Sequence, residues 1–290
     1  MSLPSRKRLA FLGLPGLALV LAGCSAAGVL NGITPSSSFE RDKGVAYGQA
    51  DRQTMDIYRA AEPKAGSPVI VFVYGGGWTR GSKGMYKFVA EGFTKDGYDV
   101  VVPDYRLYPD SVYPDMVRDT GAAVRAVAAR FPDRSLVLMG HSAGGYNVLM
   151  TALAPDLSGV DVCGRIAGVV SLAAPTGAYP MTDEPYVSIF PERFGGNDAP
   201  INRTDRPFPP LYLVNGLDDT TVGHPNATQL GEALGSGRVT VKLYEGMNHI
   251  DPVRVLSRHF DGDSPLKEDI VTFIDALPAK GESGFCAPPT

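Results

Sequence analysis

The stretch Leu136-Val137-Leu138-Met139-Gly140-His141-Ser142-Ala143-Gly144-Gly145-Tyr146 constrains this chain more than any other. Four apolar residues run into Gly-His-Ser-Ala-Gly, and an apolar, small-residue segment follows. The pattern predicts a buried strand, a very tight turn, and a helix packed against the strand it has just left. A serine on such a turn adopts a strained backbone, and glycine at 140 and 144 removes side chains that would strike the neighbouring elements. The strain lifts the Ser142 hydroxyl clear of the sheet. It also sets the Ala143 N–H at a helix N-terminus, where it can meet developing negative charge. A plain strand–helix turn can carry the same five residues, so the rest of the chain decides between the two.

Elsewhere, apolar runs alternate with helical periodicity. Val69 to Tyr74, Tyr98 to Pro103, Ile166 to Leu172, Leu211 to Val214 and Val239 to Tyr244 read as strands. Tyr86 to Lys95, Met116 to Arg130, Ala227 to Leu234 and Glu268 to Ala276 read as helices. Val45 to Tyr58 suits an edge hairpin. The fold class is therefore α/β, a doubly wound, mostly parallel sheet without a large cap domain. Pro175 to Pro210 lacks periodicity and is expected to run over the top of the sheet.

The first 23 residues are set aside as a signal peptide. Arg6, Lys7 and Arg8 precede an apolar run broken by Gly13, Pro15 and Gly16, too short and interrupted for a membrane span. The run ends in Leu21-Ala22-Gly23-Cys24, which resembles a bacterial lipobox, with Cys24 lipidated as the first mature residue. An ordinary secretory signal cut near Ala26 or Ala27 is the alternative. Residues 24–43 then read as a flexible linker, 44–278 as the catalytic domain and 279–290 as a tail. The expected location is the cell envelope, at the periplasmic face of the outer membrane, with attachment through the lipid on Cys24. Cleavage removes three of the 27 basic residues and none of the 31 acidic ones, moving the formal charge from −4 to −7. So acidic a chain argues against nucleic acid or a polybasic membrane contact. Two cysteines remain, Cys163 and Cys286; in an oxidising compartment they form a candidate disulfide, the other reading being two free thiols.

In a doubly wound sheet the chemistry lies at the carboxyl ends of the strands. After Val69 to Tyr74 come Gly75, Gly76, Gly77 and Trp78, and the N–H groups of Gly76 and Gly77 could join Ala143 in an oxyanion hole. After Leu211 to Val214 come two carboxylates, Asp218 and Asp219, either of which could orient a histidine. After the last strand comes His249. Of the other histidines, His141 stands on the elbow pointing away from the serine, His224 lies in a loop before Pro225, and His259 lies in a charged stretch. The base is His249 by elimination. No His/Cys cluster has metal-ligand spacing and no G-x-G-x-x-G opens a helix after the first strand, so neither metal nor cofactor is expected.

The chain resembles the α/β-hydrolase superfamily, and within it the carboxylesterases with a His-Gly-Gly-Gly-type oxyanion loop, both hormone-sensitive-lipase-like and kynurenine-formamidase-like. The matching stretches are Asp56-Ile57-Tyr58, Gly75 to Trp78, Asp104 to Leu107 with Pro109, Tyr113-Pro114, Asp119, Gly140 to Gly145, Gly216 to Val222 and the His249 loop. The resemblance implies a triad of Ser142, Asp219 and His249, because the family's acid-loop pattern lays its aspartate on 219. Tyr74 and Asn215 stand where the family usually has histidines. The implied activity is hydrolysis of small to medium carboxylic esters through an acyl-enzyme, with Trp78 and Tyr108 shaping the acyl pocket. Asp104 and Arg106 would form a charge network under the site. Aryl-formamidase or peptidase action would use the same residues. A lipid-anchored binding protein on a retired hydrolase fold is the reading from another class.

Overall fold

The computed structural model describes residues 28–177, 181–194, 198–235, 237–260 and 262–278. Eight strands form one sheet in the order β1-β2-β4-β3-β5-β6-β7-β8. They are β1 (Phe39–Ala46), β2 (Thr54–Ala60), β3 (Val69–Val73), β4 (Val100–Pro103), β5 (Leu136–His141), β6 (Ile166–Leu172), β7 (Leu211–Gly216) and β8 (Val239–Tyr244). β1 and β2 pair antiparallel, as do β2 and β4, and every other neighbouring pair is parallel. This is the α/β sheet expected from the alternation of apolar runs and helical periods.

The central strands β3, β5 and β6 are buried at every position, which is why they read as unbroken apolar runs. β8 at the edge is half exposed, alternating inward and outward. The helices Lys87–Thr94, Asp115–Arg130, Ala143–Leu153, Pro225–Leu234 and Leu266–Asp275 supply the crossovers and closing layer. Each starts within two residues of its expected position. Among the described residues no separate cap domain covers the sheet.

Register sets the carboxyl ends level. Val73 in β3 pairs with Gly140 in β5, His141 with Leu172 in β6, Leu172 with Val214 in β7, and Gly216 with Tyr244 in β8. The loops that follow β3, β5, β7 and β8 therefore open on one edge of the sheet. The excursion after β6 is fastened beside it by Asp198, which takes hydrogen bonds from the Tyr113 hydroxyl at 2.6 Å and from the Arg203 guanidinium.

The structure departs from the expected 24–43 linker. Residues 28–33 are helical and β1 already begins at Phe39. Leu30 is buried, and Asn31 clips the helix down by donating to the Gly84 carbonyl at 2.6 Å and accepting the Phe88 N–H at 3.1 Å. Composition reads Gly, Ser and Pro as a tether, but Leu30 among them gives the helical turn an apolar side chain that the domain buries, while Val29 and Ile33 stay exposed. Cys24 and Cys286 lie outside the described residues, as does the side chain of Cys163, and with them the lipidation and disulfide expectations.

Beneath the sheet edge, Asp119 is almost wholly buried and accepts from the Arg106 N–H, Nε and Nη2 and from Gln53 Nε2, at 2.7–2.9 Å. Removing one partner of such a pair leaves the other charge without compensation. Asp119→Ala should lower the unfolding free energy by about 3–5 kcal/mol, read as a lower urea midpoint at unchanged m-value.

Candidate active site

The elbow is built by close approach. Ser142 sits at φ 53°, ψ −122°, between β5 and the helix Ala143–Leu153. A Cβ on Gly144 would lie 2.1 Å from the Val73 carbonyl oxygen, and one on Gly140 would lie 2.3 Å from the Gly144 carbonyl oxygen. Only glycine lets the helix start this close to β3 and β5, and that closeness holds the serine up at the sheet edge.

Ser142 Oγ is 2.9 Å from His249 Nε2, and His249 Nδ1 is 2.8 Å from Asp219 Oδ2. The three side chains come from three separate loops and form one hydrogen-bonded line. Asp219 is buried, and its other oxygen accepts the N–H groups of Thr221 and Val222, both at 2.8 Å. Those bonds fix the carboxylate and aim its free lone pair at the imidazole. Asp218 is exposed and takes no part. Asn215, in the family's histidine position, donates to the Val222 carbonyl at 2.7 Å and so closes the acid loop from below.

Gly75, Gly76, Gly77 and Ala143 line the same pocket as Ser142 and His249. Gly76 and Gly77 have φ of 125° and 58°, a left-handed backbone that glycine adopts without strain. Tyr74 replaces the usual histidine as the anchor of this loop. Its hydroxyl donates to Asp104 Oδ1 at 2.7 Å and accepts from Arg52 at 2.8 Å, while its ring stacks with Tyr86 and with Tyr105. Burial pushes the Tyr74 hydroxyl far above the usual phenol range, so it stays protonated and remains the donor to Asp104. Asp104 also takes the Lys83 N–H and ammonium, both at 2.7 Å. Arg106 lies apart from Asp104, bound to Asp119.

Of the two rings expected to shape the acyl pocket, Trp78 reaches its lining and Tyr108 does not. Trp78 touches the pocket lining but is buried, with Nε1–H donating to Asn147 Oδ1 at 2.9 Å and its ring met edge-on by Tyr146 and Phe190. It acts chiefly as a strut for the glycine loop. Tyr108 is absent from the pocket lining; its N–H donates to the Trp78 carbonyl at 2.9 Å, so it braces that strut from behind. Proximity in sequence to the site could not show which way either ring is turned.

The pocket holds roughly 670 Å³, enough for a small organic ligand. Met181, Thr182, Asp183 and Tyr186 form one wall, on the excursion after β6. Val29, Leu30, Met85, Phe88, Val253 and Phe260 add an apolar part of the lining. The contribution of Val29 and Leu30 was missed in the sequence; the available signal was their spacing with Ile33 inside an otherwise polar stretch.

His141 was likewise assigned no task. Its Nε2 is 2.8 Å from the His249 carbonyl oxygen, which requires the ring to carry its proton there. Burial pulls its pKa down to about 3, because the charged form would have to be desolvated. The unfolded state, at the ordinary value of 6.5, binds a proton that the folded state refuses. His141 thus favours folding fully above pH 6.5, and that contribution shrinks as pH falls from about 6.5 toward 3. NMR titration should show the His141 ring signals unmoved from pH 8 to pH 5, and His141→Gln should flatten the acid limb of the stability profile.

Comparison with known proteins agrees with the geometry. The BD-FAE family model matches residues 55–178. Isoprenylcysteine alpha-carbonyl methylesterase of Arabidopsis thaliana is 24% identical over 271 residues, covering 81% of this chain and 62% of the plant protein. Kynurenine formamidase of Danio rerio is 30% identical over 125 residues, 43% of this chain and 42% of the fish protein. The chain spans less than two thirds of the length of these relatives. Among solved structures, phosphonate-inhibited esterase B of Lactobacillus rhamnosis aligns with a TM-score of 0.72 at 19% identity, covering 90% of this chain and 93% of that one. Thermogutta terrifontis esterase 2 aligns with a TM-score of 0.66 at 21% identity, covering 88% and 98%.

Proposed function

We propose that this chain, an α/β-hydrolase in fold and in the order of its site loops, is a serine carboxylesterase acting on small to medium carboxylic esters. The observation that carries this reading is the unbroken line Ser142–His249–Asp219, at 2.9 and 2.8 Å, opening into a pocket beside three glycines. Asp219 accepts the Nδ1–H of His249, which leaves Nε2 unprotonated and ready to receive the Ser142 proton. The serine oxygen attacks the ester carbonyl, and the N–H groups of Gly76, Gly77 and Ala143 take up the charge on the tetrahedral intermediate. His249 passes its proton to the leaving alkoxide. Water, activated in turn by His249, then releases the acid from the acyl-enzyme. His141 is a positioning residue in this scheme, holding the His249 main chain.

Amide hydrolysis would use the same line, and the partial likeness to kynurenine formamidase makes it the second reading. The two separate on p-nitrophenyl acetate, butyrate and octanoate run beside an anilide. We expect the esters to be turned over and the anilide to lag far behind, with Ser142→Ala lowering kcat by about 10⁶-fold and Asp219→Asn by about 10⁴-fold. Folded protein with no serine-dependent ester turnover would overturn the reading.

The sequence Leu21-Ala22-Gly23-Cys24 further supports envelope attachment through a lipid on Cys24. Expressed in a Gram-negative host, the chain should take up labelled palmitate and fractionate with membranes. Cys24→Ala should abolish the label; label that persists in that variant would exclude Cys24 as the acceptor.

A further inference from the structure

Arg80 lies on the same loop as the oxyanion donors and lines the pocket with Ser142 and His249. Other arginines near the site are fully engaged. Arg52 donates to the Tyr105 carbonyl, the Tyr74 hydroxyl and the Gly81 carbonyl, and Arg106 holds Asp119. Arg254, the other arginine of the pocket wall, pairs with Asp251 and Asp263. Among the described residues the Arg80 side chain has no hydrogen-bond or ion-pair partner, and its Nε is buried without one. Arg130 is also without one but is exposed at a helix end remote from the pocket lining.

The position of Arg80 is fixed. The Thr79 N–H and hydroxyl both reach the Gly76 carbonyl, at 3.1 and 3.2 Å, and Arg52 holds the Gly81 carbonyl at 2.9 Å. A Cβ on Gly76 would stand 2.3 Å from the Arg80 carbonyl oxygen and 3.2 Å from its Cγ. The arginine stem therefore rises directly beside Gly76, on a loop whose backbone is already tied down before substrate arrives. Asp183, the acid in the pocket lining, is exposed and makes no ion pair with it among the described residues. The chain as a whole is acidic, so an anion would be drawn to this pocket by a local cation and not by the overall field. A guanidinium in the pocket lining, its donors unspent, is matched by a carboxylate, which accepts two N–H groups at once.

We propose that Arg80 is a specificity-determining residue that selects esters carrying a carboxylate a few bonds from the scissile carbonyl. The proposal rests on the esterase reading and names the substrate class of that site. Two matched pairs locate the charge. Mono(p-nitrophenyl) glutarate against p-nitrophenyl valerate places it on the acyl chain, and 3-carboxyphenyl butyrate against phenyl butyrate places it on the alcohol. The wild-type chain should favour the anionic member of one pair in kcat/KM. In Arg80→Gln the anionic-to-neutral ratio of that pair should fall by about tenfold or more, with Arg80→Lys in between. Calorimetric titration of Ser142→Ala protein with monoethyl glutarate repeats the comparison without turnover, and adding Arg80→Gln should weaken binding by about tenfold. An unchanged ratio and unchanged binding in Arg80→Gln, or preference for the neutral member of both pairs, would overturn the proposal. Absence of serine-dependent turnover on all four esters would overturn the esterase reading instead, leaving the binding comparison to decide the role of Arg80.

Discussion

Everything at this site depends on how close the helix after β5 comes to the strand beside it. The space between Gly144 and the Val73 carbonyl admits a hydrogen but not a methyl group. That approach forces Ser142 into the left-handed region and holds it above the sheet. The same approach brings the Ala143 amide alongside the loop that follows β3. Ser142 and the Ala143 amide are thus positioned by one packing constraint, and glycine at 140 and 144 is how the sequence encodes it.

A second layer holds the glycine loop from behind. In this chain the anchor is a phenol in place of an imidazole. Tyr74 reaches a buried carboxylate, Asp104, and is itself held by Arg52 and by stacking with Tyr86 and Tyr105. Because Asp104 and Arg52 bind the phenol and not the reacting atoms, the exchange of side chain alters how the loop is supported, and Gly75 to Gly77 still line the pocket. Trp78 adds the lateral strut through Asn147.

What was legible in the sequence is what local chemistry writes into it. Buried parallel strands announce themselves as apolar runs, and an elbow announces itself by its glycines; the order serine, aspartate, histidine follows once each is placed after a strand. The pocket walls were not legible, for a physical reason. Whether Tyr108 or Leu30 faces a ligand depends on contacts tens of residues away: Trp78 for the first, Gly84 and Phe88 for the second through Asn31. Composition also misled at residues 28–43, where Gly, Ser and Pro obscure Leu30 and Phe39, the two apolar side chains that the domain buries. His141 shows the same limit, since its partner is the main chain of a loop 108 positions further on.

The half-exposed edge strand β8 has a consequence for how the molecule fails. Ser142 hangs from the centre of the sheet, but His249 follows the outermost strand, which has a neighbour on one side only. Edge elements with few buried contacts open locally at lower free energy than the core does. Opening β8 would carry the base away from a nucleophile whose own strand stays intact. In the proposed mechanism the join between base and nucleophile therefore depends on an edge of the sheet, and amide exchange along β8 would report its loss before global melting does.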